Sequence, residues 1–246
     1  MKKKIEHFFS VKKKVILVVG GTRGIGLTIA KDLLSLGSKV VTLGRSKLKR
    51  KNHIICSVTS EEEILNAFNL INKKFGKIDV LINVAGISIG IKKSQRTQNI
   101  NDFKNTLDTN LIGIYKVCSI AIKFLKKNSS IINVSSIASQ FGFPKNPGYI
   151  SSKSGLCGLT RSMAYDYAKY GIRVNNLIPG YIKTQMTIQS FKDKKLYNLR
   201  KSKTLLNRWG VPKDLIGAVI FLSSSASSYV TGSNITVDGG WSVKGI

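Results

Sequence analysis

VVGGTRGIG, residues 18–26, is the stretch on which the fold turns. An apolar run, VILVV (15–19), leads into it, and Ile25, Ile29, Leu33 and Leu36 follow at helical spacing before Gly37 supplies a stop. Strand, glycine turn and helix in that order make the half-unit of a nucleotide-binding sheet, in which a pyrophosphate rests on the helix N-terminus. The glycines are spaced unusually, as Gly20-x-x-x-Gly24-x-Gly26, and a G-x-G-x-x-G template started at Gly24 puts Ile29 in the third glycine's place. Taken alone, the stretch is a degraded nucleotide loop, a different one, or only a glycine-rich turn.

The rest of the chain repeats the alternation. KVVTL (39–43), HIICSV (53–58), DVLINVAG (79–86), SIINVSS (130–136), GIRVNNLIPG (171–180) and SNITVDGG (233–240) read as further strands. EEEILNAFNLINKKFG (61–76) reads as a helix, with acids in its first turn and apolar residues at 64, 65, 68 and 71, and a second helix is expected through 103–127. Continuous apolar strands alternating with helices mean a mostly parallel sheet covered on both faces. The expectation is an α/β fold: one doubly wound Rossmann-type domain over 1–246, with about seven strands. Ligands of such sheets sit beyond the carboxyl ends of the strands, and glycine and polar residues gather there in this chain.

Composition narrows the setting. Forty Lys+Arg against 12 Asp+Glu leave a formal charge of +28, which raises the question of a nucleic-acid or anionic-membrane partner. The lysines are scattered through Lys2–Lys4, Lys12–Lys14, Lys47–Lys51, Lys92–Lys93, Lys126–Lys127 and Lys192–Lys203, in a chain also heavy in Asn and Ile. Most of these runs lack interleaved aromatics, so compositional bias is the preferred reading over nucleic-acid binding. Cys56, Cys118 and Cys157 have neither metal nor redox spacing and read as reduced thiols, and no metal is expected. No segment has the roughly 20 apolar residues of a membrane span, and VILVV is too short for a signal-peptide core. A cytoplasmic location is expected.

Tyr149 and Lys153, in YISSK, stand four residues apart and share a face if helical. A phenol titrates near ~10 and is a poor base at neutral pH, but a neighbouring ammonium favours the phenolate. Such a tyrosine can give a proton to a carbonyl oxygen or take one from an alcohol. By itself the pair is common on helix surfaces.

With the other elements in order, the chain resembles the short-chain dehydrogenase/reductase family over nearly its whole length. Gly20, Gly24 and Gly26 match the family's Thr-Gly-x-x-x-Gly-x-Gly loop, with Val19 in place of threonine. Asn83-Val84-Ala85-Gly86 matches its Asn-Asn-Ala-Gly element, with Val84 in place of asparagine. Asn110 matches its helix asparagine, Ser136 its serine thirteen residues before the tyrosine, and Tyr149 and Lys153 its Tyr-x-x-x-Lys pair. Pro179-Gly180 with Thr184 matches the nicotinamide-holding segment, and VDGGW (237–241) the last strand end.

The resemblance implies Tyr149 as general acid/base and Lys153 as the residue that lowers its pKa and holds the nicotinamide ribose. It implies Ser136 as hydrogen-bond donor to the substrate oxygen, and Asn110 as holder of a water that relays protons from Lys153. Ser135 or Ser136 could instead cap a turn, Asn110 could be structural, and Thr184 could cap a helix. The implied cofactor site comprises Gly20, Thr22, Arg23, Gly24, Ile25, Gly26, Arg45, Ser57, Val58, Asn83, Ala85, Gly86, Tyr149, Lys153, Pro179, Gly180, Ile182 and Thr184. Ser57 stands where the family commonly has an aspartate near the adenine amine. Loss of polar side chains at Val19 and Val84 is expected to cost some rigidity but not binding, because backbone amides do most of the cradling.

At the end of the second strand, LGRS places Gly44 where an acid would grip the ribose 2′-hydroxyl, followed by Arg45. Arg45 and Arg23 favour NADP(H) over NAD(H), since guanidinium groups bind phosphate bidentately. The resemblance implies a substrate lid at about 182–209, both apolar and basic, and a small carbonyl or alcohol substrate. The ending RWGVPKDLIGAVIFLSSSASSYVTGSNITVDGGW is similar to sugar-acid and polyol dehydrogenases, while 3-oxoacyl-carrier-protein reductases share every catalytic element. Lys126, Lys127 and Lys169 would suit an acidic carrier protein. A homo-oligomer, tetramer or dimer, follows from the resemblance, with GWSVKGI a candidate for its interface.

Overall fold

The computed structural model describes residues 7–49, 51–92 and 94–244; the Lys2–Lys4 run lies outside them. Seven strands form one sheet in the order β3-β2-β1-β4-β5-β6-β7. They are β1 (Val15–Val19), β2 (Lys39–Gly44), β3 (His53–Ile55), β4 (Ile78–Asn83), β5 (Leu125–Val134), β6 (Arg173–Pro179) and β7 (Asn234–Val237). Every pairing is parallel. The fold is therefore the expected Rossmann-type sheet, wholly parallel.

The all-apolar β1 serves two cores, because successive side chains of a strand point to opposite faces. Val15, Leu17 and Val19 pack with Ile64, Phe68 and Ile71 of α2 (Glu61–Phe75). Ile16 and Val18 pack on the other face with Ile29 and Leu33 of α1 (Gly24–Ser35). Helix α2 begins at Ser60, whose hydroxyl accepts from the Glu63 amide at 3.2 Å, and carries Glu61, Glu62 and Glu63 at its positive end. Its buried face is Ile64, Ala67, Phe68 and Ile71, while the apolar Leu65 is 45% exposed.

Two expectations are corrected. The helix foreseen through 103–127 is α3 (Ile100–Leu107), a π turn (Asp108–Ile112) and α4 (Gly113–Ala121). Its last residues instead open β5, where Leu125 pairs with Ile78 across a register shift. The third strand is shorter than HIICSV, because only His53–Ile55 find ladder partners, on Thr42–Gly44.

One row across the sheet is polar. Asn83, Asn133, Asn176 and Asn234 are register neighbours on β4, β5, β6 and β7. Asn83 donates to Asn133 at 2.8 Å, Asn133 to Thr160 at 2.8 Å, Thr160 to Asn176 at 2.8 Å, and Asn176 to Asn234 at 2.8 Å. Thr160 belongs to α5 (Pro147–Ala168), so this chain ties that helix to the sheet just below the strands' carboxyl ends.

Candidate functional site

All strands being parallel, their carboxyl ends share one edge, and two adjoining cavities open there. The larger, about 260 Å³, runs from the Gly20–Ile25 loop past Arg45 and Ser57 to Gly86 and Ile87. The smaller, about 110 Å³, holds Ser136, Tyr149, Lys153, Pro179 and Gly180. Ile25, Val84, Gly86, Thr184 and Met186 line both, so the two form one continuous cleft.

The glycine loop is built for close approach. Gly20 has φ +83°, and a Cβ on it would stand 2.6 Å from the Ala85 amide nitrogen. A Cβ on Gly26 would collide with the Gly20 carbonyl. The loop is held by main chain: Val19 O accepts from the amides of Val84 (2.8 Å) and Ala85 (3.0 Å), while Leu43 O accepts from that of Gly20 (2.8 Å). Val19 and Val84 can therefore replace polar residues without freeing the loop. Helix α1 starts from Arg23 with no side-chain cap, leaving its first amides free for an anion. The donor set and the space fit a dinucleotide.

At the end of β2 stands Gly44 in place of a ribose-gripping acid, and a Cβ there would lie 2.6 Å from Thr22 Cγ2, so an acid at this position would need Thr22 to shift. Arg23 and Arg45 are exposed on the rim of the larger cavity and pair with no carboxylate among the described residues. Ser57 lines the larger cavity, with its amide donating to Glu63 at 2.8 Å and its hydroxyl paired with Thr59 Oγ1 at 2.8 Å.

Both serines line the smaller cavity. Ser135 Oγ donates to the Lys153 carbonyl at 3.0 Å and is buried, whereas Ser136 caps a 3₁₀ turn by accepting from the Ala138 amide at 3.1 Å and still faces the cavity. Lys153 Nζ lies 5.8 Å from the Tyr149 ring centre and donates to Val134 O at 2.8 Å. Burial without a carboxylate partner brings the Lys153 ammonium down to about 8. Burial pushes the Tyr149 phenol up, against the opposing Ser136 hydroxyl. The expected depression of Tyr149 by Lys153 is thus not found, because the ammonium is itself desolvated and turned toward Val134 O.

Asn110 is fully buried in the π turn. Its Oδ1 accepts from the Ile87 amide (2.8 Å), and its Nδ2 donates to Ile87 O (2.8 Å) and Ser152 Oγ (3.1 Å). Asn110 thus ties the segment after Gly86 to the π turn and to Ser152 of α5. Asn83 and Gly26, read as cofactor residues, line neither cavity; Asn83 turns into the sheet and Gly26 packs on Gly20. Thr184 does not cap a helix: its amide donates to Thr187 Oγ1 at 3.0 Å, and it faces both cavities. The other anticipated residues, Thr22, Gly24, Val58, Ala85 and Ile182 among them, do line the cleft. Met186, within the expected lid segment, lines both cavities, and Ile87 and Thr109, beside Gly86 and Asn110, line the larger without belonging to a motif.

Lys126, Lys127 and Lys169 lie at the amino end of β5 and the carboxyl end of α5, on the edge opposite the cleft. A carrier docked there would not face the reacting cavity.

Comparison with known proteins agrees with this geometry. A family model described as enoyl-(acyl carrier protein) reductase matches residues 19–242. The 2-dehydro-3-deoxy-D-gluconate 5-dehydrogenase of Formosa agariphila is 36% identical, over 94% of this chain and 94% of its own. The 3-oxoacyl-[acyl-carrier-protein] reductase of Rickettsia typhi is 36% identical over 92% and 96%. The structure of a gluconate 5-dehydrogenase from Burkholderia cenocepacia, in complex with NADP and tartrate, is 29% identical with a TM-score of 0.89, over 97% of this chain and 99% of that one. The chain belongs to the short-chain dehydrogenase/reductase family. It is an NAD(P)-dependent oxidoreductase acting on CH–OH groups. Among the described residues no helix is long and apolar enough to cross a membrane, and no cluster of metal-ligating side chains occurs.

Proposed function

We propose that this enzyme interconverts a ketone and a secondary alcohol, prefers NADP(H) to NAD(H), and acts on a small polar sugar-acid or polyol-like compound. The reading is carried by the convergence of Ser136, Tyr149 and Lys153 on a cavity continuous with the dinucleotide-shaped cleft. The nicotinamide cofactor, when bound, supplies or accepts the hydride. Tyr149 gives a proton to the carbonyl oxygen in reduction and takes it back in oxidation. Ser136 donates a hydrogen bond to the same oxygen and stabilises the charge that develops there. Lys153 holds the nicotinamide ribose hydroxyls and, with a hydroxyl between it and Tyr149, favours the phenolate. Asn110 positions Ile87 and the strand end against Lys153; a Cβ on the intervening Gly86 would lie 3.3 Å from Asn110 Oδ1 and 3.6 Å from Lys153 Nζ.

Gly20, Thr22, Gly24 and Ile25 would hold the pyrophosphate, Ser57 and Val58 the adenine side, and Pro179, Gly180, Ile182 and Thr184 the nicotinamide. Arg23 and Arg45 would meet a 2′-phosphate. Arg45→Ala is expected to raise the KM for NADPH about tenfold, the lower end for losing a charge-assisted contact at an exposed site, and to leave that for NADH within about twofold. Steady-state kinetics with both cofactors checks this; equal losses for both would remove Arg45 as the discriminator.

Residues 182–209 serve as the substrate lid. Its ends are stitched together by Lys183 N to Gly210 O (2.9 Å) and Gly210 N to Tyr181 O (2.9 Å). The sugar-acid reading is supported by the gluconate-type relatives, one of them holding tartrate, a hydroxylated dicarboxylate. A second reading, reduction of 3-oxoacyl thioesters, is favoured by the Rickettsia relative. NADPH oxidation with 5-dehydro-D-gluconate and L-sorbose on one side and an acetoacetyl thioester on the other decides between them. Exposed Tyr115 and Tyr165, on α4 and α5, are consistent with a homo-oligomer.

A further inference from the structure

The turn that carries Arg45 has little structure of its own. Residues 45–49 follow β2 without helix or strand. Among the described residues a single hydrogen bond reaches them, and it comes from the neighbouring strand: His53 Nε2 lies 2.8 Å from Ser46 O. A carbonyl oxygen only accepts, so Nε2 carries the proton of this bond. The other ring nitrogen, Nδ1, lies 3.0 Å from Thr42 Oγ1 and in the neutral ring accepts from that hydroxyl. The far end of the same connection is held differently, by main chain, where the Thr42 amide donates to Asn52 O at 2.9 Å. The end next to the cofactor cleft depends on one side chain.

The sheet puts that side chain where it can act. Thr42 and His53 are register partners on the parallel strands β2 and β3, so their side chains leave the same face. Thr42 is buried beneath the glycine loop, and a Cβ on Gly21 would lie 2.6 Å from its Cγ2. The half-buried imidazole therefore leans on the floor of the phosphate loop with one nitrogen and grips the turn after β2 with the other. Gly44, Arg45 and Ser46 all line the larger cavity, whereas His53 lines neither cavity. Whatever His53 does for a bound dinucleotide, it does through the turn.

We propose that His53 is a positioning residue for cofactor choice: by bridging Thr42 and Ser46 it holds the 44–46 turn in the arrangement that presents Arg45 to the ribose 2′-phosphate of NADP(H). This rests on the reading of Arg45 as the discriminator and goes further, naming the group that makes the discriminator effective. An exposed arginine on an untethered turn has to be ordered, main chain and side chain together, at each binding event, and that ordering is subtracted from the affinity. With the tether in place the main chain is ordered before the cofactor arrives. A dinucleotide without the 2′-phosphate makes no use of Arg45, so it gains nothing from the tether.

The test is a double-mutant cycle read by cofactor binding, which needs no substrate. The Kd values of NADPH and NADH are measured by nicotinamide fluorescence titration for wild type, His53→Ala, His53→Gln, Arg45→Ala and the variant carrying both alanines. His53→Ala is expected to raise the Kd for NADPH about three- to tenfold, the size of one lost hydrogen bond, and to leave that for NADH within about twofold. Retained NADH binding also reports that the sheet edge folds. His53→Gln keeps an N–H donor at the reach of Nε2 and should return NADPH binding to within about twofold of wild type. If His53 acts through Arg45, the double variant should bind NADPH as Arg45→Ala does, again within about twofold. Equal losses on both cofactors would make His53 a support of the whole cleft. Additive losses in the double variant would mean that it acts without Arg45, and no loss at all would leave it unused. Each of these overturns the positioning role while Arg45 stands as discriminator. Should Arg45→Ala itself leave the preference between NADPH and NADH unchanged, the cofactor reading fails and the role of His53 falls with it.

Discussion

Tyr149→Phe is expected to lower kcat about a thousandfold while leaving the Kd for NADPH within about twofold. The substitution removes one oxygen and keeps the ring on α5. General acid–base catalysis by a positioned side chain contributes about 10²–10⁴-fold. The phenol is the group in the smaller cavity suited to that work: Ser136 is a poorer acid, and the Lys153 ammonium is turned to Val134 O at 2.8 Å. Burial raises the phenol in the ligand-free site, which keeps it protonated and ready to donate in reduction. Cofactor affinity should survive because the cradle is formed by loop amides and by residues of the larger cavity, which does not include Tyr149. Cofactor fluorescence titration alongside single-turnover kinetics separates the two quantities. Retained turnover would remove Tyr149 as the acid, and a parallel loss of NADPH binding would make it a cofactor ligand first. Ser136→Ala offers an internal comparison, since loss of one oxyanion donor is worth about 10²–10³-fold in kcat with the phenol intact.

Much of this arrangement was legible in the residues, for definable reasons. A buried parallel strand has to be a continuous apolar run, and glycine or proline marks where it ends, so all seven strands could be found. The π turn could not, because the apolar period runs unbroken from α3 into α4, and only the packing of Asn110 on Ile87 and Ser152 distinguishes the break. The start of β5 was hidden for the opposite reason: Lys126, Lys127 and Asn128 are polar, and the pairing at Leu125 depends on main chain. Asn83 was misassigned because it adjoins Ala85 and Gly86, which do line the cleft. Strand alternation turns its side chain into the polar row instead. The aromatic cluster joins Phe143, Tyr181 and Trp241 from three distant stretches, and no spacing rule connects them. Electrostatics was the least accessible level. A Tyr-x-x-x-Lys pair states that two groups share a face, but the direction of each shift depends on burial and on what else each group bonds.

Lys153→Met is expected to abolish useful turnover and yet stabilise the ligand-free protein at neutral pH. Lys153 is 4% exposed, and its ammonium has one carbonyl partner and, among the described residues, no carboxylate. Its proton leaves near pH 8 in the folded chain, against 10.5 for a free lysine. The folded state therefore binds fewer protons than the unfolded one between about pH 8 and 10.5, and stability rises with pH across that window. Below pH 8 both states hold the proton and the whole cost of burying it is present. A shift of this size corresponds to roughly 3 kcal/mol at neutral pH, and methionine, similar in length and uncharged, escapes it. Urea unfolding of both proteins at pH 7, 9 and 10.5 isolates the effect, because the burial-lowered Lys14 contributes equally to each. The variant should be more stable at pH 7, with the difference shrinking toward pH 10.5. A variant less stable at pH 7 would mean that the bond to Val134 O and the contact with the Tyr149 ring outweigh the desolvation. The predicted result instead makes Lys153 a residue that folding disfavours and catalysis requires: a buried charge held by a single main-chain carbonyl.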